Sequence, residues 1–286
     1  MKRLRVSIVQ YLNTAPLVRG LTHGPLRGKY ELSFTVPSQC AEELRTGAAD
    51  IAILPAIEYQ RIEGLAILPN LAIASKTKVR SLLLVAKKPL GEIRRIALDR
   101  SSRSTQALTR ILCAKKWKIA PEFFEAEPDV ERMLESADAG LVIGDPALRL
   151  ALTGAGGAGF AVYDMVEEWR ALTDLPAVLA IWAARQSVVT AEIADDFRDS
   201  LAFGIEHIED IAQEAAQEMG LPAGELLSYL RENIQYRLDD EDLRGLRKYY
   251  EYAAELGLIE EAKEILISGT GGRGEAELAA ATRVAK

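Results

Sequence analysis

An α/β chain of two units with a ligand cleft between them is the fold the sequence predicts. Three observations predict it. Short apolar runs alternate with helix-like segments from the N-terminus onward, the alternation starts afresh near residue 94, and a long, continuously apolar run flanks this second series on each side. With 286 residues, 49% of them apolar, the chain is long enough to bury a core in each of two ordinary domains.

Residues 5–9 read as a strand that stops at Tyr11-Leu12-Asn13-Thr14, and Ala15-Pro16 opens a helix directly behind it, since proline is tolerated in a first turn. Residues 32–36 read as the second strand. Ser38 suits the cap of a helix that buries Cys40, Ala41 and Leu44 and ends at Gly47. Residues 50–54 are the third strand, with a helix or turn from Pro55. The second series repeats this order: strand 94–99, helix 102–116, strand 122–126, helix 129–136, strand 139–145.

The flanking runs, VRSLLLVAK at 79–87 and PAVLAIWAAR at 176–185, read as buried strands that carry the chain out to a second domain and back. The expected division is a larger discontinuous domain, 1–87 plus 179–286, and a smaller inserted one, 88–178. Ile193, Phe197, Leu201, Ile205, Ile208 and Ile211 recur at helical spacing, which predicts C-terminal helices packed on the first domain. GAGGAGF at 154–160 lacks the Lys-Ser/Thr of a nucleotide loop and reads as a flexible turn; SGTGGRGE and the Ala-rich end read as a mobile tail.

Composition excludes several classes. No apolar run approaches the roughly 20 residues of a membrane span, so no membrane partner is expected. Only about five apolar residues follow the basic start, short of a signal region, and a cytoplasmic location is expected. A net charge of −7 argues against nucleic acid. Cys40 and Cys113 show no metal or disulfide spacing and read as reduced core residues, and His23 and His207 lie near no nucleophile motif. No metal or cofactor is expected. The acidic pairs and the three tryptophans read as surface and packing.

Three polar corners fall at strand-to-helix junctions: Asn13-Thr14, the stretch Asp99 to Thr105, and Gly144-Asp145. Helix starts leave N–H groups unpaired and favour anions. In the middle corner Ser101, Ser102, Ser104 and Thr105 offer hydroxyls around Arg103, whose guanidinium suits a two-point grip on a carboxylate. Capping alone explains one such corner; three on one cleft favour a site for a small anionic molecule.

YLNTAPL (11–17), DIAILPAIEY (50–59), VRSLLLVAK, IALDRSSRST (96–105), LVIGDPAL (141–148) and EEWRALTDLP (167–176), in this order, resemble the chorismate dehydratases of the futalosine route to menaquinone, over about residues 6–185. The resemblance implies a type II periplasmic-binding-protein fold used as a lyase without cofactor or metal. Such an enzyme converts chorismate to 3-(1-carboxyvinyloxy)benzoate, the substrate's enolpyruvyl carboxylate taking the ring proton. It implies Asn13 and Ser81 as catalytic, with Thr14, Ser101, Ser102, Arg103, Ser104, Thr105, Gly144 and Asp145 on the substrate; Asp145 caps a helix in an alternative reading. Asp174, Ala177 and Val166 depart from its usual Gly, Phe and Gly, which bears on substrate fit. Two other functions stay open: 1,4-dihydroxy-6-naphthoate synthase on the same fold, and a solute-binding protein for an anionic metabolite. Oligomeric state is not legible.

Overall fold

The computed structural model describes residues 3–154 and 159–268. The tail after 268 and the centre of the GAGGAGF stretch, at 155–158, lie outside the described residues.

The first series forms β1 (Arg5–Val9), α1 (Ala15–Thr22), β2 (Glu31–Thr35), α2 (Pro37–Thr46), β3 (Ile51–Pro55), α3 (Ala56–Arg61) and β4 (Leu65–Ser75). Pro37 takes the first helical position of α2, so Val36 is its cap and Ser38 lies inside the first turn, its N–H donating to the Ser101 carbonyl instead. The second series forms β5 (Leu82–Ala86), β6 (Arg95–Asp99), α4 (Arg103–Leu112), β7 (Glu122–Ala126), α5 (Val130–Ser136), β8 (Ala139–Ile143), α6 (Gly144–Thr153), β9 (Ala161–Asp164) and α7 (Met165–Thr173). The chain then returns through β10 (Ala177–Arg185) into α8 (Ala191–Glu206), α9 (Ile208–Met219), α10 (Ala223–Ser228), a π-helical turn at Tyr229–Asn233, and α11 (Asp240–Glu255).

Two five-stranded sheets share one plan, β2-β1-β3-β10-β4 and β7-β6-β8-β5-β9. In each, the first three strands run parallel, and the fourth, contributed by the chain as it arrives from the other sheet, runs antiparallel. The flanking apolar runs are thus the inserted strands β5 and β10. Leu82–Ala86, assigned from the sequence to the first unit, pairs with β8 and β9, so the outward crossing falls on residues 76–81.

In a 2-1-3 strand order the carboxyl ends of the middle strands open onto a crevice. Both sheets turn those ends toward each other. The corners after β1, β3, β6 and β8 therefore meet, and the fold places the three polar stretches around one cleft.

Among the C-terminal helices, α8 packs closely on α1. A Cβ at Gly204 would lie 1.9 Å from the Pro16 carbonyl oxygen, and one at Gly20 would lie 2.5 Å from the Ser200 backbone. Ser200 Oγ donates to the Leu17 carbonyl at 2.8 Å and accepts from Leu21 N–H. This contact fixes the helix whose start carries Asn13.

Candidate functional site

The corner after β1 is a 3-10 turn, Leu12–Thr14, that buries Asn13 and Thr14 without a side-chain cap. A helix that forgoes a cap it has the residues for leaves those side chains for something else. Asn13 lines a cavity of about 470 Å³ of empty space, mouth included, whose polar wall is completed by Tyr11, Ser102, Ser104, Thr105 and Gly144. Ile73, Leu82, Ile143 and Leu179 supply its apolar wall.

The second wall is built on Asp99, fully buried at the end of β6. Its Oδ1 accepts from the N–H and hydroxyl of Ser101 at 2.9 and 2.6 Å, and its Oδ2 accepts from Ile143 N–H. Burial pushes this carboxyl above its usual range against those three bonds. Ser101 is thereby turned inward, with Tyr11 Oη 3.4 Å from its hydroxyl. Ser102 donates to Thr105 Oγ1 at 2.8 Å, which leaves the Thr105 proton for another acceptor. Ser104 Oγ accepts from Ile57 N–H, and its carbonyl accepts from Tyr249 Oη, so this serine ties the lobes as it faces the cavity. The first turn of α4 reaches the cavity with N–H groups that have no intrahelical acceptor, whereas at the start of α6 the Gly144 N–H is taken by the Ser81 carbonyl.

At the head of α6, Gly144 has φ +64°, and a Cβ would lie 2.7 Å from ring carbons of Tyr11. Asp145 does not enter the cavity lining. Its Oδ1 accepts from Leu12 N–H at 3.0 Å, so it holds the Asn13 corner from the opposite lobe, and burial raises its pKa. The same burial pushes Tyr11 up to about 12, which keeps its hydroxyl a donor at neutral pH.

The residues named from sequence are not all brought to the cavity. Thr14 faces a neighbouring outer groove with Arg19 and Asp145. Arg103 is taken by Glu58, its Nη1 3.1 Å from the fully buried carboxylate, which Arg45 and Arg61 also hold. A buried carboxylate must be paired; Glu58 claims the guanidinium expected on the substrate. Ser81 is fully buried behind the wall, bonded to Tyr229, and does not line the cavity. Tyr229 is not legible in the sequence, and Asp99 and Tyr11 are named there only as the first residues of their polar stretches, at strand ends, without a role.

The departures also find places. Asp174 caps α7 at φ +56°, a conformation glycine adopts freely and aspartate tolerates. Ala177 faces a small void with Ser104, Thr105, Trp169 and Tyr249, behind the cavity wall. Val166 is buried in the first turn of α7, its N–H on Asp164.

Two lobes of the same plan closing on a cavity at their strand ends make this a protein of the periplasmic-binding-protein-like fold. The periplasmic aliphatic sulphonate-binding protein of Escherichia coli superposes with a TM-score of 0.64 at 17% identity, covering 94% of this chain and 95% of that one. A protein of Archaeoglobus fulgidus superposes with a TM-score of 0.73 at 21% identity, covering 90% and 98%. Within that fold, the chain belongs to the menaquinone biosynthesis family, whose model matches residues 4–255 and so includes the C-terminal helices. The chorismate dehydratase of Thermus thermophilus is 26% identical over 266 residues, 88% of this chain and 95% of that protein.

Proposed function

We propose that this protein is a chorismate dehydratase, a carbon–oxygen lyase of menaquinone biosynthesis acting in the cytoplasm on a small dianionic substrate. The observation that carries the reading is the cavity wall: among the described residues lining it there is no carboxylate, imidazole, amine or thiol. An enzyme that used its own base would need one within reach of the proton it removes. A substrate that carries its own base does not. In chorismate the ring proton is acidified through conjugation with the ring carboxylate. The enolpyruvyl carboxylate takes that proton, the C–H electron pair forms the new ring double bond as the C–O bond breaks, and the hydroxyl departs as water with the proton the carboxylate has taken, which restores the carboxylate. Aromatisation supplies the driving force.

The protein's part is placement and polar stabilisation. In this reading the apolar wall of Leu82, Ile143 and Leu179 packs on the ring, and Asn13 lies beside the reacting face. Thr105 and the first turn of α4 meet the carboxylates, so anion binding rests on that helix start and its hydroxyl in place of Arg103.

Incubating the purified protein with chorismate alone, and following the substrate by mass, tests this directly. Loss of one water to give 3-(1-carboxyvinyloxy)benzoate is expected. Tight binding without turnover would make the protein a binding protein, and neither binding nor turnover would end the reading.

A further inference from the structure

Ser81 sits at the end of the outward crossing, and the chain holds it from every side. Arg80, just before it, has φ +59°, a conformation that a residue with a Cβ keeps only where its surroundings hold it. Asp164 Oδ2 accepts from Val79 N–H at 3.0 Å and from Arg80 N–H at 2.7 Å. Gly144 N–H donates to the Ser81 carbonyl at 2.8 Å. The remaining restraints come from the π-helical turn Tyr229–Asn233. Asn233 Oδ1 accepts from Arg80 Nε at 2.8 Å, and Glu225, one turn earlier, takes both Nη atoms of Arg80.

Tyr229 Oη donates to Ser81 Oγ at 2.9 Å. Ser81 directly precedes Leu82 of the cavity wall, and its carbonyl takes the N–H of Gly144, which also belongs to that wall. Tyr229 is 1% exposed and does not line the cavity. Packing at such a place is satisfied by phenylalanine; a buried hydroxyl is tolerated only with a partner. A serine oxygen that accepts one hydrogen bond directs its own proton elsewhere. π-Turns are rare within helices and recur at functional sites.

We infer that Tyr229 is a positioning residue: through its hydroxyl the π-helical turn fixes Ser81, and with it the Leu82 and Gly144 wall of the cavity, for the reaction there. The inference rests on the dehydratase reading for its kinetic consequence, and on geometry alone for the coupling. Tyr229 touches no substrate. It acts through the serine it bonds.

A cycle of Tyr229→Phe, Ser81→Ala and the double variant tests it. Tyr229→Phe is expected to lower kcat about ten-fold or more with KM within about two-fold, and to add little in the Ser81→Ala background. An unchanged kcat, or losses that simply multiply, would overturn it. Independently of turnover, the backbone amide resonance of Gly144, whose N–H donates to the Ser81 carbonyl, is expected to shift in ligand-free Tyr229→Phe. An unmoved resonance overturns the coupling, whereas a wild type inactive on chorismate overturns only the dehydratase reading. Should Tyr229→Phe fail to fold, Asn233→Ala loosens the same turn, and the same resonance and kcat are read with the same two outcomes.

Discussion

At Gly144 two demands meet in one residue. The backbone needs a positive φ to leave β8 and start α6 at once, and the Tyr11 ring occupies the space a Cβ would take. Gly144→Ala is therefore expected to cost about 1–3 kcal/mol in urea unfolding and to expel Tyr11 from the cavity wall, lowering activity more than stability alone explains. Asp145, next along, gives a test that depends on pH. Its folded-state pKa is raised by burial, so its contribution to stability is complete below the unfolded value and is lost as pH rises through the folded one. Asp145→Asn keeps an oxygen for Leu12 N–H and removes that loss. Urea unfolding at rising pH should show the variant gaining on the wild type, and a variant that loses ground to the wild type as pH rises would contradict the assignment.

The site depends on elements that never touch it. Helix α8 presents Gly204 and Ser200 to α1, and the close approach sets where the first turn of α1, and hence Asn13, lies. Gly204→Ala should push α1 away at a cost of about 2–3 kcal/mol, read as a lowered Tm, and should reduce turnover in the fraction that stays folded. Much of the element plan was legible in the sequence because strands buried on both faces read as apolar runs and glycine ended α2 where the pattern stopped. Strand β4 was not. Pro69 and Asn70 interrupt it, and the strand absorbs them with Asn70 at φ +59° and shifted register against β10. Nor was Tyr229 legible, because helical periodicity says only that a residue is buried; a hydroxyl partner 148 residues earlier leaves no local trace. Arg103 misled for the same reason: its partner Glu58 lies 45 residues away, and nothing near Arg103 in the chain announces it.

Across the whole molecule, the lobes meet through Leu12 N–H on Asp145, Ser38 N–H on the Ser101 carbonyl, Ile57 N–H on Ser104, and Arg103 on Glu58. These bonds hold the two walls of the cavity against each other. Arg103→Ala removes the charged one. It should raise hydrogen exchange in the first turn of α4 while leaving KM for the substrate within about three-fold, because the guanidinium is spent on Glu58. A KM rise of a hundred-fold would return Arg103 to the substrate.

The composition of the cavity wall has a last consequence, for how the reaction answers to its surroundings. Amides and hydroxyls do not titrate near neutrality, Tyr11 does so only near 12, and the substrate's carboxylates are ionised well below neutral pH. Above the range in which Asp99 and Asp145 release their protons, nothing at the reacting face changes charge. The pH–rate profile should then be a plateau on the alkaline side of that range, lacking the two limbs that a paired acid and base impose. Rate measured at saturating chorismate across that interval checks it. A catalyst of this kind is governed by how much substrate reaches it, and a cell's acidity leaves its output unaltered.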